Sequence, residues 1–311
     1  MSAAKPGITV AIVSPGGYAP DEAGLQRALN RLEAHGYVVR NYYRHAARHH
    51  RFGATDDERV AQLHDAARDP EVDVVIALRG GYGMSRLLPR VDFGLLARSG
   101  KLFVGHSDIT ALHMGLLCHG AVSFAGPMVC DDFTRDETSD YTMEHFRDCL
   151  THAKCDVTGA VPDTLADNPV VDCEGTLWGG NLSMLTHLMG TPYLPVVDGG
   201  ILFVEDVNEH PYRVERMLLQ LLHGGVLGRQ KALVLGDFAN YRLSDYDNGY
   251  DFGAMLEWLR REVPVPVVTG LPFGHVRDKA TLAVGAAAHL QSDARGMWLQ
   301  MHGYPFIGQH A

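Results

Sequence analysis

A serine stands where a strongly apolar run meets the start of an amphipathic segment. Residues 101–110 read Lys-Leu-Phe-Val-Gly-His-Ser-Asp-Ile-Thr, which predicts a strand ending on glycine and a helix beginning just beyond Ser107. Such a nucleophile elbow projects the hydroxyl into a cleft and leaves the amide of the next residue, Asp108, free to stabilise an oxyanion. Ile109 replaces the second glycine of Gly-x-Ser-x-Gly, so the α/β-hydrolase fold is not supported. The alternative is that Ser107 or Asp108 only caps the helix.

A glycine-rich turn supplies a possible second amide. The apolar run at residues 73–78 leads into Arg-Gly-Gly-Tyr-Gly at residues 79–83. Ligands of parallel sheets bind at the carboxyl ends of the strands, so this turn is expected to face the same crevice as Ser107. The amide of Gly81 would then complement that of Asp108. A phosphate loop is the alternative, but the turn lacks the Lys-Ser/Thr of a P-loop and does not match Gly-x-Gly-x-x-Gly.

A nucleophilic serine needs a base, and the chain offers 17 histidines. His275 follows the apolar stretch at residues 265–274 and a glycine, so its side chain is positioned to reach a cleft. His113 and His119 are expected on the surface of the helix after the serine, and His106 is expected to point away from Ser107. We therefore favour His275 as the base.

Two further features bear on the choice of the base and of the carboxylate that orients it. His45 and His49 are spaced i, i+4, but without a neighbouring carboxylate motif they indicate a solvated face more than a metal site. Glu205 and Asp206 follow the apolar residues 201–204, where a carboxylate can orient the imidazole. The two would point to opposite sides of a continuing strand, so only one can serve. The alternative is a carboxylate that caps the helix predicted from residue 211.

The elements that must position these side chains follow an alternating pattern in the first half. The predicted strands are residues 8–13, 37–39, 72–78 and 102–104, and the predicted helices are 21–35, 56–68 and 109–119. This order predicts a mostly parallel sheet with right-handed connections. Turn formers between about residues 151 and 173 mark the best boundary. Beyond it we predict strands at 201–204, 232–235, 265–269, 281–284 and 297–301, and helices at 182–189, 212–222 and 252–260.

Composition narrows the class of protein. The 311 residues are 46% hydrophobic and 21% charged, with a net charge of −10, which is typical of a soluble globular protein and disfavours nucleic acid as a partner. The five cysteines include no Cys-x-x-Cys pair, so neither a disulfide framework nor a thiolate zinc site is expected. The apolar run near the N-terminus is too short for a signal peptide, and no run is long enough for a membrane span. We predict a cytoplasmic protein without a membrane partner.

Five segments, taken in order, carry a resemblance to a known family. They are residues 79–88, 105–108, 174–182, 201–222 and 270–275, which include Arg-Gly-Gly-Tyr-Gly, Gly-His-Ser-Asp and Gly-Leu-Pro-Phe-Gly-His. The chain resembles the LD-carboxypeptidase family of serine peptidases. The resemblance spans nearly the whole sequence.

The resemblance implies a triad of Ser107 as nucleophile, His275 as general base and acid, and Glu205 as orienter, with the amides of Gly81 and Asp108 as the oxyanion hole. It implies a Rossmann-like N-terminal domain over residues 1–155, a β-rich C-terminal domain over residues 156–311, and an active site in the cleft between them. It further implies a homodimer that needs no metal or cofactor. The implied reaction releases the terminal D-alanine of a small murein tetrapeptide.

An exopeptidase must also bind the free carboxylate of its substrate, for which Arg79, Arg86, Arg213 and Arg277 are candidates. The sequence does not choose among them for the carboxylate, and Arg79, beside the glycine-rich turn, is assigned to substrate binding. Trp178 and Asn181 lie in a glycine-rich turn and are assigned to the substrate side, although Trp178 is as compatible with the core. The alternative functions are an immunity-type hydrolase of a peptide-nucleotide antibiotic and a non-catalytic binder of small ligands.

Overall fold

The computed structural model describes residues 7–309. Within that range the strands are β1 (Thr9–Val13), β2 (Val38–Asn41), β3 (Val74–Ala77), β4 (Leu102–Gly105), β5 (Ser123–Ala125), β6 (Lys154–Ala160), β7 (Val171–Asn181), β8 (Ile201–Val207), β9 (Ala232–Ala239), β10 (Val267–Thr269), β11 (Leu282–Val284), β12 (Ala287–Asp293) and β13 (Gly296–His302). The α-helices are α1 (Glu22–Ala34), α2 (Asp56–Arg68), α3 (Met84–Leu87), α4 (Phe93–Arg98), α5 (Thr110–Cys118), α6 (Asp140–Thr151), α7 (Leu182–Leu188), α8 (Pro211–His223) and α9 (Phe252–Glu262). None of the helices in this range is both long and apolar enough to cross a bilayer.

The first sheet has the strand order β11-β5-β4-β3-β1-β2. Strands β1 to β5 pair in parallel, and β11 is antiparallel to β5. Every residue of β1, β3 and β4 is buried, because helices cover both faces of a parallel sheet. This burial explains the continuous apolar runs in the sequence. The carboxyl ends of β3 and β4 lead into the glycine-rich turn and the serine turn, which therefore meet at one edge.

The second sheet has the order β10-β9-β8-β7-β12-β13-β6. Strands β7 to β10 are parallel neighbours, and β7, β12, β13 and β6 pair antiparallel. The strand β7 is 11 residues long and belongs to both parts of the sheet, because its N-terminal half pairs with β12 and its C-terminal half with β8. Its C-terminal half lies beside β8, which carries Glu205. The predicted class, a mostly parallel sheet followed by a second, β-rich unit, is confirmed.

Strand β6 lies across the predicted domain boundary. Strand β6 occupies Lys154–Ala160, so a division between residues 155 and 156 cuts it. The turn formers that suggested the boundary lie in the loop between β6 and β7. In addition, β11 returns from the second half of the chain to pair with β5 of the first sheet. A contiguous division cannot describe this exchange, because strand partners are distant in sequence.

Candidate active site

The sharp strand-to-helix turn predicted at Ser107 is present in the backbone. Ser107 has a φ of 63°, in the left-handed region that costs a residue with a side chain about 1–2 kcal/mol. The strand β4 ends at Gly105, and a short 3₁₀ turn over Ser107–Ile109 leads directly into α5. No side chain caps this turn, so the structure does not support the capping alternative. Strain of this kind is characteristic of functional turns.

The glycine-rich turn lies against the serine, as the sequence predicts. A Cβ atom on Gly80 would lie 2.8 Å from Ser107 Cβ and 2.9 Å from Ser107 Oγ, so only glycine permits this approach. Gly81 has a φ of 75°, and a Cβ there would meet no atom within 4 Å. The turn therefore presents its backbone to open space beside Ser107.

Asp108 joins the serine turn to the glycine-rich turn through its side chain. Its Oδ2 accepts a hydrogen bond from the amide of Met84 at 2.7 Å. The carboxyl is buried, and burial raises the pKa of Asp108 to about 6, although the backbone hydrogen bonds oppose the shift. The aspartate of the Gly-His-Ser-Asp motif thus fixes the geometry between Ser107 and residues 79–83.

Arg59 is a fully buried arginine that sequence reasoning missed. Its guanidinium donates to the carbonyl oxygens of Pro15 and Gly83, the latter at 3.2 Å, and to Asp56 Oδ1 at 2.6 Å. These contacts tie the loop after β1 to the glycine-rich turn. In the sequence Arg59 lies in a polar helical segment, where an arginine is expected on the surface.

The structure brings Glu205 into contact with His275, the two residues that the sequence predicts as orienting carboxylate and base. Glu205 Oε2 lies 2.8 Å from His275 Nδ1. The Glu205 side chain is fully buried, and the His275 side chain is 21% exposed. Burial lowers the pKa of His275, but the hydrogen bond and the charge of Glu205 raise it more, so the net shift is upward. The carboxylate therefore stabilises the protonated imidazole, as a triad requires.

Asn181 places the carboxylate. Its Nδ2 donates to Glu205 Oε1 at 3.1 Å and to Asp206 Oδ1 at 3.0 Å, while its Oδ1 accepts from the amide of Met184. Its backbone amide donates to Thr110 Oγ1 at the start of α5. These contacts use the polar atoms of the side chain, so the structure gives Asn181 a positioning contact with Glu205 in place of the predicted substrate contact.

Asp206 has a different role from its neighbour. Its Oδ2 accepts from the amide and the hydroxyl of Ser183, at 2.9 and 2.7 Å, so it holds the first turn of α7. The register of β8 shifts between Val204 and Asp206, which brings both carboxylates to Asn181 although the sequence predicted that they would diverge. The alternative, in which one of these carboxylates caps the helix from residue 211, is wrong, because α8 is capped by His210.

The remaining histidines are sorted by their surroundings. His106 is buried, its Nδ1 lies 2.8 Å from the carbonyl oxygen of Gly126, and its ring packs edge-on to that of His275 with centroids 5.2 Å apart. The expectation that His113 lies on the helix surface is wrong. It is buried, with contacts to Ser123 Oγ at 2.9 Å and the carbonyl oxygen of Gly105 at 2.8 Å. Burial lowers the pKa of His113 to about 4, so it supports the elbow as a neutral side chain.

His119 is exposed, as expected. The Nε2 atom of His45 lies 3.8 Å from Glu22 Oε2. Among residues 7–309 no group of three or more histidine, cysteine, aspartate or glutamate side chains is arranged to hold a metal ion.

Arg79 differs from the other candidate arginines. Its Nε is buried without a hydrogen-bond partner in the described chain, and its Nη1 makes a long contact of 3.5 Å to the carbonyl oxygen of Tyr18. By contrast, Arg86 is paired with Asp56 at 3.0 Å and Arg213 with Glu209 at 3.6 Å. Arg277 is exposed. Arg79 therefore combines a buried donor without a partner among the described residues with a place in the chain directly before Gly80, which lies against Ser107.

The expectation that Trp178 lies on the substrate side is corrected by its burial. The residue is 1% exposed, and its indole Nε1 donates to Gln230 Oε1 at 2.8 Å. Its ring therefore packs in the core of the second sheet, as the alternative held.

Asp237 is a second residue that sequence reasoning missed. Its Oδ1 is buried without a hydrogen-bond partner among the described residues. Burial raises the pKa of Asp237, and the charge of Glu205 adds to the shift. In the sequence Asp237 follows the apolar run of β9 and Gly236, so its place after that run was the only sign of a functional role.

Models of the LD-carboxypeptidase family match most of the chain. The N-terminal domain of the family matches residues 10–126, and the C-terminal domain matches residues 174–290. A probable murein peptide carboxypeptidase of Bacillus subtilis is 33% identical over 92% of this chain and 89% of its own length. The murein tetrapeptide carboxypeptidase of Pseudomonas aeruginosa is 30% identical over 91% of this chain and 93% of its own.

Solved structures agree with this relationship. A muramoyltetrapeptide carboxypeptidase from Oxalobacter formigenes superimposes with a TM-score of 0.91 and 57% identity, covering 96% of this chain and 99% of its own. The microcin C7 self immunity protein superimposes with a TM-score of 0.85 at 22% identity, covering 97% and 98%. The latter likeness shows a shared fold.

Proposed function

The chain belongs to the LD-carboxypeptidase family, and from this premise we propose that it is a serine peptidase that releases the terminal D-alanine of murein tetrapeptides. The bond cleaved joins the L-centre of the third residue to the D-alanine. The observation that carries the proposal is the 2.8 Å contact between buried Glu205 and His275, together with the strained backbone of Ser107. The names of the relatives support the substrate class.

Acylation begins with the proton of the Ser107 hydroxyl. A carboxylate accepts hydrogen bonds only, so Glu205 holds the proton of His275 on Nδ1 and leaves Nε2 free as the base. As His275 takes the hydroxyl proton, Ser107 Oγ attacks the scissile carbonyl carbon. The amides of Gly81 and Asp108 donate to the resulting oxyanion.

Collapse of the tetrahedral intermediate completes the first half of the reaction. The carbon to nitrogen bond breaks, His275 returns its proton to the leaving amine, and D-alanine departs. Water then attacks the acyl-enzyme, with His275 again acting as base, and Ser107 regains its proton. Glu205 stabilises the imidazolium in both halves.

We assign the free carboxylate of the substrate to Arg79. The buried Nε of this side chain has no hydrogen-bond partner among the described residues, and a guanidinium is suited to a carboxylate. Its place directly before Gly80 would put the leaving group beside the oxyanion hole. Arg79→Lys should raise KM for the tetrapeptide more than it lowers kcat, whereas Arg213→Lys, at an exposed pair with Glu209, serves as the control.

The reaction is tested by incubating the protein with a murein tetrapeptide and measuring free D-alanine and the tripeptide by mass spectrometry. A matched peptide that ends in L-alanine should remain intact. An aminoacyl sulfamoyl nucleotide, assayed in parallel, tests the immunity-type alternative. A fluorophosphonate probe tests the non-catalytic alternative, because an activated Ser107 becomes labelled and a serine in a binding protein does not.

The site of action and the assembly rest on the family resemblance. We propose that the protein acts in the cytoplasm on recycled muropeptides and forms a homodimer. Light scattering of the purified chain measures the assembly directly. Recovery of a monomer at micromolar concentration would overturn that part of the proposal without touching the reaction.

A further inference from the structure

Two cysteines and a histidine meet where the chain passes from α6 into β6, and the proposed reaction uses none of them. Cys149 lies in the last turn of α6, and Cys155 is the second residue of β6. The Cys155 sulfur lies 3.6 Å from His145 Nδ1. Each thiol shifts the pKa of the other through a side-chain hydrogen-bond interaction, and neither cysteine is in a disulfide. The group is therefore a packed pair of thiols with an imidazole on one side.

The two cysteines differ in their surroundings. Cys149 is completely buried, and this burial raises the pKa of its thiol. The hydrogen bond from Cys149 lowers the pKa of Cys155, and His145 adds to the lowering, although burial opposes it. Cys155 is therefore the sulfur that ionises, and Cys149 remains the protonated donor beside it. Thiolates are the reactive form of cysteine.

A surface cavity gives small molecules access to this pair. It has a volume of about 340 Å³ and is lined by His145, Asp148, His152, Lys154, Cys155 and Asp156. Cys155 is 6% exposed, and it is the cysteine among the residues that line the cavity. Peroxide is little larger than water, so it fits a cavity of this size.

We propose that Cys155 and Cys149 form a peroxide-sensitive dithiol, in which Cys155 is oxidised first and Cys149 resolves it to a disulfide. The ligand class is a small hydroperoxide, with hydrogen peroxide as the simplest member. The resulting bridge joins the end of α6 to the start of β6. This modification site is independent of the proposed peptidase reaction.

The chemistry balances with hydrogen peroxide as the named oxidant. The Cys155 thiolate attacks one peroxide oxygen, the oxygen to oxygen bond breaks, and the departing hydroxide takes up a proton to become water. Cys155 is now a sulfenic acid, oxidised by two electrons. The Cys149 sulfur attacks the Cys155 sulfur, the sulfur to oxygen bond breaks, and the second water leaves with the Cys149 proton. Two thiols and one peroxide thus give one disulfide and two waters.

The buried Cys155 should react faster than the exposed Cys118, and this order of reactivity supplies the sharpest test. Cys118 is exposed, but burial of its sulfur raises the pKa of its thiol. With limiting iodoacetamide at pH 7, peptide mapping of the folded full-length protein should show Cys155 modified at least about tenfold faster than Cys118, because an ordinary thiol is only a few per cent ionised at this pH. His145→Ala should slow the reaction of Cys155 and leave that of Cys118 unchanged.

The disulfide is tested with hydrogen peroxide. After treatment, mapping without reductant should recover residues 149 and 155 as one cross-linked peptide, which dithiothreitol separates. With Cys149→Ser the sulfenic acid should persist and be trapped by dimedone at Cys155. Because Cys149→Ser replaces a core residue, the wild-type cross-link provides a readout without a variant. Preferential modification of Cys118, or exhaustive peroxide treatment without a bridge between 149 and 155, would overturn the proposal.

Discussion

Replacing Glu205 with glutamine removes one negative charge beside His275 and keeps the shape of the side chain. The surrounding contacts dictate how the new amide must lie. Asn181 Nδ2 donates to Glu205 Oε1, so the amide oxygen of the glutamine must occupy that position. Its NH₂ group then faces His275 Nδ1, 2.8 Å away in the wild type. A donor there forces the imidazole proton onto Nε2, and His275 can no longer accept the proton of Ser107.

The size of the effect follows from the same geometry. Two unit charges about 4 Å apart interact by about 4 kcal/mol at an effective dielectric constant of about 20. This interaction appears only when His275 becomes protonated during the reaction, so its loss raises the barrier and not the cost of binding. At about 1.4 kcal/mol per factor of ten, kcat should fall roughly 10²–10⁴-fold with little change in KM.

The assay is steady-state release of D-alanine from the tetrapeptide across a range of pH. Protonated His275 cannot act as a base, so activity rises as the pH increases through its pKa. The contacts with Glu205 raise that pKa above the ordinary histidine value of about 6.5. In Glu205→Gln the acid limb of the residual activity should therefore move to lower pH.

Asp206→Asn is the matched control, because Asp206 shares the contact with Asn181 but makes no contact with His275 in the structure. One Asp206 oxygen accepts two donors from Ser183 and the other accepts from Asn181 and Val207. In Asp206→Asn the NH₂ group replaces one of these oxygens, so it faces donors whose hydrogen bonds it cannot accept. The free energy of unfolding should fall by about 1–3 kcal/mol, while kcat changes less than about tenfold. A larger loss of kcat in Asp206→Asn than in Glu205→Gln would refute the assignment of the acidic partner.

Four further outcomes are expected. Ser107→Ala should remain folded and lose several orders of magnitude in D-alanine release, and fluorophosphonate labelling of a different serine in the wild type would contradict the assignment. A chelator should leave activity intact, whereas a loss that zinc restores would point to a metallopeptidase. Gly80→Ala should lower kcat at least about a hundredfold, since its Cβ would lie 2.8 Å from Ser107 Cβ, while Gly228→Ala, in open space, should not. Burial raises the pKa of Asp108 to about 6, so ionisation of Asp108 lowers the free energy of unfolding as the pH rises from about 4 to 6; Asp108→Asn should remove this contribution in urea titrations.

The sequence could predict the elements that carry the proposed triad because their signals are local. Buried parallel strands appear as unbroken apolar runs, and glycine marks the turn at which each one ends. Both signals located Ser107 and His275, and the acidic pair directly after an apolar run located Glu205. The helix α6 and the strands β6, β7 and β12 escaped prediction, since their apolar residues are interrupted by polar ones that face solvent. Their existence depends on partners far away in the chain.

The supporting contacts could not be predicted because they join distant residues. Nothing local distinguishes a helical arginine that donates to two loop carbonyl oxygens, as Arg59 does, from one that faces water. The same holds for His113, whose helical position suggested the surface although both ring nitrogens lie at hydrogen-bond distance from buried oxygens. A buried polar group is tolerated only when its partners are present, and those partners lie on other elements.

The choice between Glu205 and Asp206 shows how a distant contact decides chemistry. Strand alternation permits one of two adjacent carboxylates to face the histidine but does not say which. The irregular register of β8 then brings both to Asn181, so the strand alone still does not separate them. Ser183 does so, because its amide and hydroxyl both engage Asp206. Because Asp206 is held by α7, Glu205 is the carboxylate left to accept a hydrogen bond from His275. The burial of Glu205 strengthens that hydrogen bond.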